Sequence, residues 1–193
     1  MKLIFATNNA NKVLEIKAAL QAGLEIITLK EAGINIDIPE PHNTLEENAT
    51  EKSTVIHKLT NENCFSEDTG LEVAALHGAP GVRSARYAGD EADNTKNIAL
   101  LLQNMQSVEN RNAQFKTVIS LILNNTEHQF VGICTGKIIT TPTGNKGFGY
   151  DSIFIPDGSN KTFAEMEMEE KNIYSHRKKA LTKLTDFLRN TNN

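Results

Sequence analysis

The first 29 residues, MKLIFATNNANKVLEIKAALQAGLEIITL, decide the class of fold. Lys2 to Thr7 is short, apolar and rich in β-favouring side chains, which predicts a buried strand. Asn8 to Asn11 reads as a polar turn. Val13, Ile16, Lys17 and Leu20 follow at helical spacing, and Gly23 is a stop signal. Glu25 to Leu29 reads as a second strand. Strand, polar loop, helix and strand in this order open an α/β chain.

The remainder extends that reading. Ile34 to Asn43 is irregular, with Pro39 and Pro41. Thr44-Leu-Glu-Glu47 fits a capping box, and the helix it opens runs to about Leu59, with Ala49, Val55, Ile56 and Leu59 as a partial apolar face. Cys64 to Asp68 predicts a short strand ending in acid, and Leu71 to Ala75 a further extended segment. His77 to Gly81 is a turn by composition. Asn94 to Met105 is helical, with Ile98, Leu101, Leu102 and Met105 on one side. Gln114 to Leu123 and Gln129 to Thr140 form a hairpin about Asn124-Asn125. A short strand at Ser152 to Ile155 follows the glycine-rich stretch Gly144 to Gly149. Ser175 caps a closing helix carrying Ala180, Leu181, Leu184, Phe187 and Leu188. No repeat, linker or low-complexity tract is visible, so residues 1–193 are expected to fold as one unit. Helices alternating with strands, plus a long hairpin, predict a mixed sheet.

Charge and composition exclude several classes. With a formal net charge of -4 and a pI near 5.8, the chain has no global electrostatic attraction for nucleic acid or an anionic membrane. A polyphosphate ligand would need local positive charge from placed Lys and Arg residues, helix N-termini and a metal. Cys64 and Cys134 form no CxxC pair and read as reduced thiols. The N-terminus turns polar too soon for a signal peptide, and no apolar run approaches the ~20 residues that cross a membrane. A cytoplasmic protein is expected.

Four segments carry the groups chemistry needs. Thr7-Asn8-Asn9-Ala10-Asn11-Lys12 sits at a strand-to-helix turn, where unpaired N–H groups and a partial positive charge suit phosphate. Simple helix capping would use the same residues, and the GxxxxGK[ST] phosphate loop is absent. Ser66-Glu67-Asp68-Thr69-Gly70 ends a strand in two acids, suited to a hard divalent metal or to a solvated turn. Neighbouring strand side chains point to opposite faces, so Glu67 and Asp68 share one ligand sphere only if the strand has ended. Gly147-Phe148-Gly149-Tyr150-Asp151 offers close backbone approach, a ring for stacking and an acceptor; a tight turn with Phe148 in the core is the alternative. Lys171, His176 and Arg177 bring cations to a helix start, against the helix dipole, which is a pointer toward a site; an ordinary solvated charge run is the alternative. Glu40, between two prolines, is a further candidate metal ligand, whereas His42, His57, His77 and His128 show no metal-ligand spacing.

Together and in this order, ATNNANK (6–12), LEENA (45–49), SEDTGLEV (66–73), GAPGVRSARYAG (78–89), GFGYDSIF (147–154) and EEKNIYSHRKKAL (169–181) closely resemble the non-canonical purine nucleoside triphosphate pyrophosphatases, the inosine/xanthosine triphosphatase family. The resemblance covers essentially the whole chain. It implies an elongated, two-lobed α/β domain with a long mixed sheet flanked by helices and an active site in the cleft between lobes. It further implies a homodimer that hydrolyses ITP, dITP and XTP to monophosphate and pyrophosphate with Mg2+. By the same resemblance Thr7 to Lys12 form the phosphate loop, Lys52 is a further phosphate ligand, and Asp68 binds metal and accepts a proton. Glu40 is the second metal-site acid with Glu67 beside it, Thr69 contacts substrate, and Phe148 to Asp151, Lys171, His176 and Arg177 form the nucleobase pocket. Asn8 stands where the family often has Gly, and Glu67 where it often has Asp.

On this reading Lys12 and Lys52 hold the leaving pyrophosphate. Lys171, His176 and Arg177 favour a 6-oxo purine, because adenine would leave buried donors unpaired. Two other functions share some of these features. A broader house-cleaning pyrophosphatase would share the phosphate machinery without the base selectivity, and a nucleotide sensor would bind without turnover.

Overall fold

The computed structural model describes residues 1–19 and 24–191. The opening prediction holds: β1 (Lys2–Phe5) leads through residues 6–9 into α1 (Ala10–Ala19), and β2 (Glu25–Thr28) pairs with β1 in parallel, Lys2 facing Glu25 and Phe5 facing Thr28. Leu20 and Gly23 lie outside the described residues. After the irregular stretch come α2 (Leu45–Thr60), β3 (Cys64–Val73), β4 (Pro80–Gly81), α3 (Asn94–Asn104), β5 (Asn112–Leu123), β6 (Thr126–Ile138), β7 (Phe154–Pro156), α4 (Met168–Tyr174) and α5 (His176–Thr191). The strands form one mixed sheet in the order β2-β1-β3-β5-β6-β7, with β4 paired to β3. The β1–β3 pairing is parallel and the β3–β4 and β6–β7 pairings are antiparallel. Asn124 and Asn125 join β5 to β6 with positive φ at both, the two-residue turn whose twist matches that of the strands.

Three local expectations are corrected. The extended run does not stop at Asp68: β3 continues to Val73, because Gly70 lets the backbone of Gly81 approach where a Cβ would meet the Gly81 carbonyl oxygen at 2.5 Å. The strand expected from Ser152 starts at Phe154, after a turn of 3-10 helix over Asp151–Ile153. The face of α2 is also different. Leu59 is exposed and Val55 only half-buried, whereas Asn48, Lys52 and Ser53 are buried beside Ala49 and Ile56.

The helix ends follow local chemistry. Thr44 caps α2: its hydroxyl accepts from Glu47 N–H (3.2 Å) and donates to the Glu47 carboxylate (2.7 Å). Asp93 caps α3 through the N–H groups of Thr95 and Lys96. Ser175 stands immediately before α5, and its N–H closes α4 on the carbonyl of Lys171.

The chain divides into two compact units, the first comprising 1–68, 117–132 and 177–193 and the second 69–116 and 133–176. The first has a core of Leu3, Phe5, Ile16, Phe65, Ile119 and Leu121 closed by Ala180, Leu181, Leu184 and Leu188 of α5, with Phe5 and Phe65 stacked at 4.5 Å. The second is built around Leu71, Leu101, Met105, Phe115, Phe154 and Phe163. Two of the four boundaries fall between Asp68 and Thr69 and between His176 and Arg177, in the middle of two of the segments singled out for chemistry.

Candidate active site

In the first unit the residue pattern concentrates charge. Asn9 caps α1, its side-chain oxygen accepting from Lys12 N–H (3.1 Å), while Thr7 Oγ1 accepts from Asn9 N–H (3.2 Å). Asn8, Asn9, Ala10 and Asn11 are exposed at this helix start. Asn8 spends its side-chain amide on the carbonyl of Ile36 (2.9 Å). Lys12 reaches inward, its Nζ 3.3 Å from both the backbone carbonyl and the carboxylate of Glu67. Burial lowers its pKa from the usual lysine value, against the pull of Glu67.

Lys52, on the polar face of α2, holds two acids at once, with Nζ 2.7 Å from Asp68 Oδ1 and 2.7 Å from Glu40 Oε1. Burial opposes its charge, but Asp68 and then Glu40 outweigh that and raise its pKa. Burial likewise pushes the Asp68 carboxyl up, against the attraction of Lys52 and Lys12. Glu67 faces a different set of partners from Asp68, as strand alternation requires. Arg177 donates through Nε and Nη2 to the two Glu67 oxygens (2.6 and 2.9 Å) and through Nη1 to Glu15. Glu67 and Arg177 are 1 and 2 % exposed, and the pairing raises the arginine pKa despite burial.

Two of the candidate residues have partners within the first unit. Glu67 is committed to Arg177 and Lys12, which leaves Asp68 and Glu40 as the convergent acids. Among the described residues no group of three or more His, Cys, Asp and Glu side chains is placed to hold a metal. Arg177 belongs to the first unit, where its guanidinium braces the carboxylates of Glu67 and Glu15. That bracing also explains how a cation is tolerated at the first turn of α5.

The second unit carries an aromatic cluster around one buried ion pair. Lys171 Nζ lies 2.6 Å from Asp151 Oδ2, which also accepts from Phe148 N–H (3.0 Å). The ammonium sits 5.2 Å from the ring centre of Phe163 and 5.7 Å from that of Phe148, within cation–π range. His176 stacks on Phe115 with centroids 4.7 Å apart. The turn that presents Phe148 depends on Gly147, at φ +72°, where a Cβ would strike the Asp151 carboxylate. Gly149 also takes a positive φ, but into open space. Tyr150 turns into the core and donates to the Ser84 carbonyl (2.8 Å), so it supports the turn from beneath. Thr69 follows Asp68 in β3 and is half-buried. A cavity of about 510 Å³ elsewhere in this unit is lined by Glu72, Gln114, Thr135 and Asp157 among others and lies apart from the cluster.

Glu15, Phe115 and Phe163 of these clusters, and the buried Asn48 of α2, were not singled out from sequence. Asn48 lies inside LEENA, whose matched run was a usable signal; Phe115 falls within the expected Gln114–Leu123 strand, and Phe163 lies in none of the segments singled out.

The first unit thus carries a buried acid–lysine–acid bridge and the second a lysine among aromatic rings. The matched family model is the Ham1 family, over residues 3–187, and the chain belongs to that family. The chain is 48 % identical over 190 residues to the dITP/XTP pyrophosphatase of Flavobacterium psychrophilum, covering 98 % of this chain and 100 % of the relative. It is also 48 % identical over 188 residues to the dITP/XTP pyrophosphatase of Porphyromonas gingivalis, covering 97 % of each. Among solved structures, the Staphylococcus aureus Ham1 protein matches with TM-score 0.89 and 36 % identity over 99 % of this chain and 100 % of that one. A HAM1 protein from Coxiella burnetii matches with TM-score 0.90 and 34 % identity over 98 % and 99 %.

Proposed function

We propose that this protein is a pyrophosphohydrolase that converts ITP, dITP and XTP to the monophosphate and pyrophosphate, clearing deaminated purines from the nucleotide pool. The observation that carries the reading is Lys52, held at 2.7 Å by both Asp68 and Glu40. Two carboxylates that converge on a positive charge make a place for charge neutralisation, with Lys12 in the same unit to add more. The donor set also fits Mg2+, a hard cation that takes one or two carboxylates and completes its shell with phosphate oxygens and water. Asp68 and Glu40 would hold it, and when bound it supplies neutralisation of the charge that develops as the α–β phosphoanhydride breaks.

The chain's own residues divide the remaining work. The N-terminus of α1 and Lys12 bind phosphate oxygens, and Lys12 and Lys52 retain the pyrophosphate leaving group. Asp68 orients the attacking water and takes its proton. Phe148 stacks on the base, and Lys171 with His176 meets the 6-oxo edge as donors. Arg177 would join them only by leaving Glu67 or Glu15. The protein acts in the cytoplasm as a homodimer on this reading.

Turnover of ITP in 18O-labelled water tests the bond cleaved. IMP carrying the label together with unlabelled pyrophosphate is the expected result. IDP with labelled orthophosphate would overturn it.

A further inference from the structure

Glu40 sits on a loop between two prolines, neither of which has an N–H to anchor the backbone, yet its carboxylate meets Lys52 Nζ at 2.7 Å, beside Asp68 on the same ammonium. The loop is fastened one step further along. The side chain of Asn48, 2 % exposed, accepts from His42 N–H at 3.0 Å and donates to His42 C=O at 3.1 Å. One amide thus satisfies both backbone groups of one residue, as a paired strand would. Asn48 and Lys52 are four residues apart on α2 and so share a face on successive turns. Lys52 takes Glu40 by its carboxylate while Asn48 takes the chain two residues later. A second tie runs from Asn8 to the carbonyl of Ile36, joining the same loop to the start of α1.

We infer that Asn48 is a positioning residue for catalysis: it fixes the loop at His42 so that Glu40 is presented to the Asp68–Lys52 pair. It touches none of the reacting groups and acts through Glu40. The inference rests on the reading of Glu40 as a working acid of the pyrophosphohydrolase. A buried asparagine at this place could serve the fold alone, so the measurement must separate positioning from stability.

A double-mutant cycle on ITP hydrolysis does so, with Asn48→Ala, Glu40→Gln and the pair, each assayed well below its own melting temperature. Asn48→Ala is expected to lower kcat on the order of tenfold to a hundredfold, with KM little changed, as a displaced catalytic group does. In the Glu40→Gln background the same substitution should have almost no further effect on kcat. Asn48→Asp, which keeps the shape and the bond from His42 N–H but loses the donor to His42 C=O, should fall between. Mn2+ binding to the resting protein, followed by electron paramagnetic resonance, should weaken in Asn48→Ala and Glu40→Gln alike. Additive losses in the cycle, or a fall in melting temperature with unchanged kcat, would overturn the positioning role while leaving Glu40 in place. A silent Glu40→Gln would overturn the role of Glu40 itself and this inference with it.

Discussion

The two charged clusters are built on opposite plans. In the first unit Lys12, Lys52 and Arg177 each face acids, and Asp68, Glu40, Glu67 and Glu15 are arrayed against them. In the second, a single pair, Lys171 and Asp151, stands among Phe148, Phe163, Phe115 and His176. The first is a balance of charges that a triphosphate and a cation can re-partition. The second is a rigid aromatic frame in which one ammonium and one carboxylate hold fixed places. The proposed function turns this contrast into a division of labour, with chemistry assigned to the first cluster and discrimination among bases to the second.

The most severe way to break the comparison is to remove the central acid. Asp68→Asn should lower kcat by about a thousandfold, within the range for loss of a positioned base, while a circular-dichroism melt shows the fold retained. Lys171→Met strikes the second cluster and leaves Asp151 buried without its ammonium. It should destabilise the protein by about 3–5 kcal/mol in denaturant unfolding, the usual result of breaking a buried pair. Gly147→Ala sharpens the same point from the backbone side. The strained φ and the collision with Asp151 should cost about 1–3 kcal/mol and loosen selectivity for ITP over ATP, read from kcat/KM.

The smallest effect concerns a group outside both clusters. Cys64 is fully buried, and burial pushes its thiol from 9.0 to about 12. The folded thiol therefore titrates above the unfolded one, so its contribution to stability is complete below about pH 9 and is lost as pH rises toward 12. Native protein should resist a thiol reagent at pH 8 and react at both cysteines once unfolded.

Much of the fold was legible because its signals are local. The opening strand–loop–helix–strand, the cap at Thr44 and the Asn124-Asn125 hairpin each announce themselves within a few residues. The failures are tertiary in origin. The strand was expected to end at Asp68, and only the approach of Gly81 to Gly70 explains why it runs on. The inward face of α2 was misread because apolar spacing cannot reveal a face that buries Asn48, Lys52 and Ser53. For the site, alternation along β3 already separated Glu67 from Asp68, but the partner of Glu67 lies 110 residues away in sequence, and no spacing argument reaches it. His176 and Arg177 are adjacent in sequence yet belong to different units, a division that no local signal in the sequence announces.

The most direct test of the division of labour is the ratio of kcat/KM for ITP over ATP in the unmodified enzyme, Asp68→Asn and Lys171→Met. The account expects Asp68→Asn to lose activity on both nucleotides with the ratio preserved, and Lys171→Met to collapse the ratio while keeping turnover of ATP. A ratio that collapses in Asp68→Asn and survives in Lys171→Met would contradict it.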